Sequence, residues 1–138
     1  MTDYDLQRFV EAQNPIYDRV CAELRAGAKR AHWMWFVFPQ IAGLGSSPMA
    51  QRYAIASIDE AKAYLDHAVL GPRLRECAEL VLSVSGRSAL QIFGTPDDMK
   101  FRSSMTLFAE AAADRGLFKS ALAKYFDGES DAMTLWRL

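Results

Sequence analysis

Apolar side chains recur along most of this chain with the 3.6-residue period of an amphipathic helix. The longest such series is Leu70, Leu74, Cys77, Val81 and Val84. Similar stripes precede and follow it, and the first helix is expected to start after Thr2 and Asp3. The pattern predicts an all-α protein, a single compact domain of about seven helices around an aromatic-rich core, without a substantial sheet.

Polar residues that can cap a helix stand in front of several stripes. Asn14, Ser47 and Thr95 are each followed by proline, which is favoured at the first helical position. Ser57 is followed by Glu60 three residues later, the spacing of a capping box. These four residues are therefore predicted to start helices.

The run from Trp33 to Phe38 departs from this pattern, because six large apolar side chains follow one another. One amphipathic face cannot hide so much apolar surface, so the run is predicted to be buried on nearly all sides. Replacing Trp35 with alanine should then cost about 3–5 kcal/mol. Neighbouring polar residues such as His32 and Gln40 would sit on rigid backbone, as in a preorganised site, although aromatic runs more often form only core.

Length and charge restrict the class of protein. The chain has 138 residues and a net charge of −1. This length fits one domain over residues 1–138, and the near-neutral charge argues against general nucleic-acid binding. No stretch is long and apolar enough to cross a bilayer and no signal peptide is visible, so a cytoplasmic protein without membrane contact is expected.

Cysteine and histidine usage gives no sign of a metal or a cofactor. Cys21 and Cys77 fall on apolar helical faces and are predicted to be reduced core residues. Their spacing matches neither a metal site nor a redox motif, and His32 and His67 have no ligand-type neighbours. His67 is interpreted as a capping or packing residue. No cofactor is expected, and the protein is expected to be a monomer or a weak homodimer.

Two stretches carry polar residues that could bind an anion. Gly43 to Ser47 form a glycine-serine loop before a predicted helix start, where free amides can form an anion-binding concavity. Lys100 lies within one helical turn of Ser103 and Ser104 and could clamp a phosphate or a carboxylate. A plain structural loop and a solvated helix face would give the same two patterns.

Several motifs together resemble a known family. They are His32-Trp33-Met34-Trp35-Phe36-Val37-Phe38-Pro39-Gln40, Gly43-Leu44-Gly45-Ser46-Ser47, Tyr53-Ala54-Ile55, Ile92-Phe93-Gly94 and Ser103-Ser104-Met105-Thr106-Leu107-Phe108. The family is the bacterial domain of unknown function 1810, whose members are often mislabelled calpastatin. The resemblance implies a small all-helical domain and no established activity. The family usually has proline after the histidine that matches His67, whereas this chain has Ala68, which puts a rigid turn there in doubt.

The first functional hypothesis is a protein that binds or processes an anionic, nucleotide-like metabolite related to NAD or ADP-ribose, by analogy with small helical proteins that process such compounds. His32 is the acid-base candidate, and Asp97 the carboxylate that a hydrolase would need, although Asp97 also suits a helix start. The ligand-binding candidates, all from the motifs above or next to them, are Trp33, Trp35, Gln40, Gly45, Ser46, Ser47, Lys100, Ser103 and Ser104.

The second hypothesis is a protein-interaction or structural adaptor, in which the aromatic run is only core. It predicts a plain surface near His32 and Lys100 and an exposed apolar patch elsewhere, for instance around Trp136. The first hypothesis instead predicts that His32, Gln40, Ser46 and the face from Lys100 to Ser104 converge on one pocket.

Overall fold

The computed structural model describes residues 4–138, and in that range the chain forms ten helices and no strand. They are α1 Gln7–Gln13, α2 Tyr17–Arg25, α3 Met34–Val37, α4 Pro48–Arg52, α5 Ile58–Asp66, α6 Leu70–Leu82, α7 Ala89–Phe93, α8 Asp97–Ala111, α9 Gly116–Phe126 and α10 Ala132–Trp136. The prediction of an all-α protein without a substantial sheet is confirmed. Thr2 and Asp3 lie outside the described residues.

Three helices were not predicted, because each is too short to show a period. α3 has four residues, and α7 and α10 have five each. A sequence signal did exist for α7: Ser88 and Gln91 form a capping box, in which each side chain bonds the other residue's backbone N–H. The estimate of about seven helices is therefore approximate: it omits these three short helices of the ten in residues 4–138.

Two of the four predicted helix caps are confirmed. The Ser47 hydroxyl accepts the backbone N–H of Ala50 at 3.1 Å, and the Ser57 hydroxyl accepts that of Glu60 at 3.2 Å. Proline then lies in the first turn of α4, and two acidic residues lie in the first turn of α5. These caps fix where the two helices begin.

The other two predicted caps are wrong. Asn14 ends α1, since its backbone N–H bonds the Val10 carbonyl at 2.9 Å, and α2 begins only at Tyr17. Thr95 precedes a cis Thr95-Pro96 bond, and α8 begins at Asp97. Asn14 therefore lies two positions, and Thr95 one position, before the residue that would cap the helix.

The aromatic run forms the centre of the core. Trp33 and Phe38 have no exposed surface, and three others in the run are buried, as predicted. The Phe38 ring lies 5.0 Å from that of Phe101 in α8 and 6.0 Å from that of Phe93 in α7. Trp35 is the exception, because it is only partly buried.

The described residues agree with the reduced state predicted for the cysteines. Cys21 in α2 and Cys77 in α6 are free and buried. The packing of α2 on α6 brings them to a shared cluster: the Cys21 thiol donates to Glu76 at 3.7 Å and the Cys77 thiol to the Tyr17 hydroxyl at 3.9 Å. The adjacent Cys21 thiol, and then burial, raise the pKa of Cys77.

His67 has the capping role that the sequence suggested, but for the following helix. Its Nδ1 accepts the backbone N–H groups of Val69 and Leu70 at 3.1 and 3.2 Å, at the start of α6. The turn that carries Ala68 is thus fixed by the histidine without a proline.

None of the helices within residues 4–138 combines the length and the apolar content that a membrane crossing requires. The same range contains no group of three or more His, Cys, Asp or Glu side chains placed to hold a metal ion.

Candidate functional site

A buried carboxylate holds the loop on which the first basic residues of the site lie. Glu23 Oε1 accepts the backbone N–H groups of Arg30 at 2.8 Å and Ala31 at 3.1 Å, and the indole N–H of Trp33 at 2.9 Å. Its Oε2 accepts Nε of Arg19 at 3.0 Å. Burial alone would raise the pKa of the Glu23 carboxyl, but these hydrogen bonds outweigh it and lower the pKa to about 2.

Two lysines share one carboxylate at the start of α8. Lys29 Nζ lies 2.8 Å from Asp97 Oδ2, and Lys100 Nζ lies 3.5 Å from Asp97 Oδ1. The Lys29 side chain is only 6% exposed and its ammonium lies 5.1 Å from the centre of the Trp33 ring. Lys29 is therefore fixed by packing, whereas Lys100 retains 26% exposure and more freedom.

These groups open into a cleft of about 390 Å³ between the loop before α3 and the start of α8. The charged cleft is lined by Lys29, Arg30, His32, Trp35, Thr95, Asp97 and Lys100, together with Met34, Phe93 and Pro96. The lining contains two lysines and an arginine against one carboxylate, an excess of two positive charges from these four residues. Such a surface favours an anionic ligand.

A second cavity, of about 150 Å³, adjoins the charged cleft. This neighbouring cavity is lined by Trp35, Gln40, Ile41, Ala42, Gly43, Gly45, Ala50, Gln51, Tyr53 and Ala54. Trp35 belongs to both linings, so the two spaces meet at this residue. Its ring also lies 5.4 Å from Lys100 Nζ, within the range of a cation–π contact.

Backbone hydrogen bonds fix the walls of the neighbouring cavity. The Ile55 N–H donates to the Gln40 carbonyl at 2.9 Å, and the Ala42 N–H donates to the Ile55 carbonyl at 2.8 Å. Gly43 has φ +97°, and a Cβ there would lie 2.2 Å from Nη1 of Arg137. Only glycine fits at that position, and it lets the guanidinium of Arg137 lie against the loop.

Some predicted site residues are brought together and others are not. His32, Trp35, Asp97 and Lys100 line the charged cleft, and Gln40 and Gly45 line the neighbouring cavity.

Ser46 and Ser47 are exposed and line neither space. The Ser47 hydroxyl is occupied as the cap of α4, and the Ser46 carbonyl accepts the Gln51 amide at 2.9 Å. Because α4 has only five residues, its amides do not make the strong anion site expected of a long helix.

Three further candidates lie inside the protein. Trp33 has no exposed surface, so it cannot stack on a ligand. The Ser103 hydroxyl donates to Asp131 Oδ2 at 2.9 Å, and the Ser104 hydroxyl is buried without a partner among the described residues. The helix face that was expected to be open is covered, because α8 packs against α5, α7, α9 and α10.

Sequence reasoning missed several residues of the site. Lys29 and Arg30 precede the motifs from which the site was predicted, yet both line the charged cleft. The Lys29 N–H also bonds the Ile92 carbonyl at 2.8 Å, which joins their loop to α7. Glu23 gave no local signal, since its role depends on donors seven to ten residues away. Tyr53 belongs to a quoted motif but was not named as a site candidate.

The comparisons with known proteins identify relatives of unknown function. A family model described as Protein of unknown function (DUF1810) matches residues 3–138. The crystal structure of the conserved hypothetical protein Rv1873 from Mycobacterium tuberculosis is similar, with a TM-score of 0.97 and 59% sequence identity. That match covers 98% of this chain and 96% of the Rv1873 chain. No curated protein matches the chain.

Proposed function

We propose that this chain, which belongs to the DUF1810 family of proteins of unknown function, binds an anionic, nucleotide-like metabolite in the charged cleft. The family resemblance drawn from the motifs is confirmed over residues 3–138. Since the family has no assigned activity, the proposal depends on the site. It is carried by one observation: Lys29 and Lys100 hold their ammonium groups at the two oxygens of Asp97, beside Arg30 and His32.

This arrangement suits a phosphate group. Lys29 is held rigidly by its ion pair and by the Trp33 ring, so it supplies a preorganised positive charge. Lys100 has a long 3.5 Å contact to Asp97 and can turn toward a ligand oxygen at little cost. The one carboxylate does not neutralise the three cations of the lining, and a phosphate would supply the missing negative charge.

The nucleotide-like part of the proposal rests on Trp35. Trp35 is partly exposed and borders the positively charged cleft, where its ring offers a flat apolar surface to a base or another ring. A metabolite related to NAD or ADP-ribose combines both features. A cytoplasmic location fits this ligand class, and the free, buried cysteines agree with a reducing compartment.

If the ligand is also processed, His32 is the acid-base group, because its imidazole is exposed at the cleft and makes no hydrogen bond to other described residues. Asp97 is less suited to attack or proton transfer, since both its oxygens face ammonium groups. Its present contacts make it a residue that positions Lys29 and Lys100.

Titration calorimetry and thermal unfolding with inorganic phosphate, AMP, NAD and ADP-ribose would test the proposal. The wild type should bind phosphorylated compounds and unfold at a higher temperature in their presence. Lys100→Met keeps most of the side-chain stem and should weaken binding about tenfold, the loss of one charge-assisted contact. Lys119→Met, an exposed lysine on α9, is the matched control.

Two results would contradict the proposal. One is the absence of binding for every phosphorylated compound. The other is an equal loss of affinity in Lys100→Met and Lys119→Met, which would show that general surface charge and not the cleft is responsible.

A second candidate function, a protein-interaction adaptor, is favoured by a separate observation. Trp136 is 77% exposed, and Met133, Leu135 and Leu138 near it are also exposed. Large exposed apolar residues grouped at one chain segment are typical of a partner surface. Sedimentation of the wild type and Trp136→Ser over a concentration series, with and without candidate protein partners, would test it, and identical behaviour of the two would count against it.

A further inference from the structure

We infer that the neighbouring cavity is a second subsite, which takes the base of a nucleoside phosphate whose phosphate lies in the charged cleft. This inference rests on the proposed function, because it assumes the same ligand. It adds the class of compound and the residues that distinguish it from other anions. Those residues are Trp35, Gln40 and Tyr53.

The two spaces are placed to hold one extended ligand. Trp35 belongs to both linings, so the two spaces lie within one tryptophan side chain of each other. The volume of about 150 Å³ far exceeds the roughly 10–15 Å³ that one water molecule requires. The cavity can therefore accept a group of several heavy atoms.

The lining differs chemically from that of the charged cleft. Within residues 4–138 it contains no lysine, arginine or acidic side chain, and Ile41, Ala42, Ala50 and Ala54 supply apolar walls. The subsite therefore fits the uncharged end of a ligand. At Gly43 and Gly45 the space of a Cβ is taken by Arg137 and Ala50, so the loop itself presents only backbone to the cavity.

Two polar groups in the lining indicate that the ligand's ring is a base with hydrogen-bonding groups and not a purely apolar ring. The Gln40 side-chain amide and the Tyr53 hydroxyl make no hydrogen bond in the part of the chain that the structure describes, although both residues line the cavity. The backbone of Gln40 is fixed by the hydrogen bond from Ile55. An amide presents a donor and an acceptor side by side, which matches the edge of a nucleobase.

Trp35 supplies the remaining element of base recognition. A base–aromatic stack contributes binding energy for any planar ring, and the amide then selects among rings by their hydrogen-bonding edge. A simple dicarboxylate or a linear phosphate ester would use the charged cleft alone. The inference therefore predicts that the base adds affinity beyond that of the phosphate.

Calorimetric titrations with four probes test this: inorganic phosphate, adenosine, AMP and glucose 6-phosphate. AMP should bind at least about tenfold more tightly than inorganic phosphate, because stacking and one amide contact add to the phosphate contacts. Gln40→Ala should reduce AMP affinity about tenfold and leave phosphate affinity unchanged. Tyr53→Phe, which removes only the hydroxyl, should reduce AMP affinity by a smaller factor and leave phosphate affinity unchanged.

The outcomes separate the two proposals. If AMP binds no more tightly than inorganic phosphate, the second subsite is overturned and the phosphate-binding cleft stands. The same holds if Gln40→Ala loses AMP affinity and phosphate affinity equally. Glucose 6-phosphate that binds as tightly as AMP would overturn the assignment to a base. If the wild type binds adenosine but not inorganic phosphate, and Gln40→Ala no longer binds adenosine, the subsite is supported and the proposed function of the cleft is overturned.

Thermal unfolding of Gln40→Ala and Tyr53→Phe provides the folding control. A variant that melts like the wild type and still binds phosphate normally has an intact cleft. Its loss of AMP affinity then comes from the subsite.

Discussion

The indole N–H of Trp33 donates to Glu23 Oε1 at 2.9 Å inside the core. The same oxygen accepts the backbone N–H groups of Arg30 and Ala31, so one carboxylate joins α2, the aromatic run and the loop of the charged cleft. Glu23 is thus a structural residue on which the site depends.

Removing this carboxylate should destabilise the protein strongly. Glu23→Ala leaves four donors without their acceptor, three of them at Oε1, and should lower the free energy of unfolding by about 3 kcal/mol or more. Glu23→Gln keeps an oxygen acceptor and should cost less, about 1–2 kcal/mol. Denaturant unfolding would measure both. Glu79→Ala, at an exposed position of α6, is the control and should stay within about 0.5 kcal/mol of the wild type.

The same carboxylate predicts a sensitivity to acid. Its pKa falls from an ordinary 4.5 to about 2 on folding, so ionised Glu23 contributes roughly 3 kcal/mol of stability above pH 4.5. As the pH falls from 4.5 to about 2, the unfolded chain takes up this proton first and the contribution disappears. The advantage in unfolding free energy of the wild type over Glu23→Gln should therefore disappear over that window. A difference that stays constant down to pH 2 would contradict the assignment.

Trp33 and Trp35 should differ in their contribution to stability. Trp33 is completely buried, so Trp33→Ala should cost about 3–5 kcal/mol. Trp35 is partly exposed, which lowers the cost of Trp35→Ala to about 1–2 kcal/mol, below the value expected from the sequence. Parallel denaturant unfolding curves would compare them. Equal losses would mean that the partly exposed face of Trp35 is closed in solution.

How far the sequence could predict the fold depended on the length of each element. α6 and α8 have 13 and 15 residues, enough turns for an apolar period to appear. α3 has four residues and is defined by its burial in the core. α10 has five residues and is defined by hydrogen bonds at its start, where Asp131 accepts the Thr134 N–H.

Prediction of the site was limited in a similar way, because only residues in local motifs could be found from the sequence. His32 and Lys100 were predicted because each belongs to a local motif, and they do line one cleft. Glu23 could not be found, because its function is set by donors up to ten residues away. Ser103 and Ser104 were misplaced because helix periodicity gives a side chain's direction but not which neighbouring helix covers it.

Ser103 and Ser104, although adjacent, should respond in opposite ways to alanine. The Ser103 hydroxyl donates to Asp131, whose Oδ2 also accepts the Thr134 N–H at 3.2 Å, so Ser103→Ala should destabilise the docking of α10 by about 1–2 kcal/mol. Ser104 has a buried hydroxyl without a partner among the described residues, so Ser104→Ala should be neutral or stabilising by up to about 1 kcal/mol. Thermal unfolding of the two variants tests this, and a larger loss for Ser104→Ala would refute it.

Asp97 provides a test of whether the charged cleft binds or transforms its ligand. In the ligand-free protein its carboxylate neutralises part of the charge of Lys29 and Lys100. Asp97→Asn removes that competing negative charge, so phosphate should bind about tenfold more tightly, while stability falls by about 1 kcal/mol because the nearly buried Lys29 loses its counter-charge. Calorimetric titration with inorganic phosphate and thermal unfolding measure the two effects.

The control is Asp18→Asn, which changes the net charge equally at an exposed position of α2 and should leave phosphate affinity unchanged. Weaker phosphate binding in Asp97→Asn would mean that Asp97 orients the lysines toward the ligand more than it competes with it. A catalytic carboxylate would behave differently again: Asp97→Asn would bind a nucleotide substrate tightly but no longer convert it, whereas the wild type would release product. Incubating both proteins with NAD and ADP-ribose and separating the products by chromatography therefore distinguishes a binding protein from a hydrolase with Asp97 in its active site.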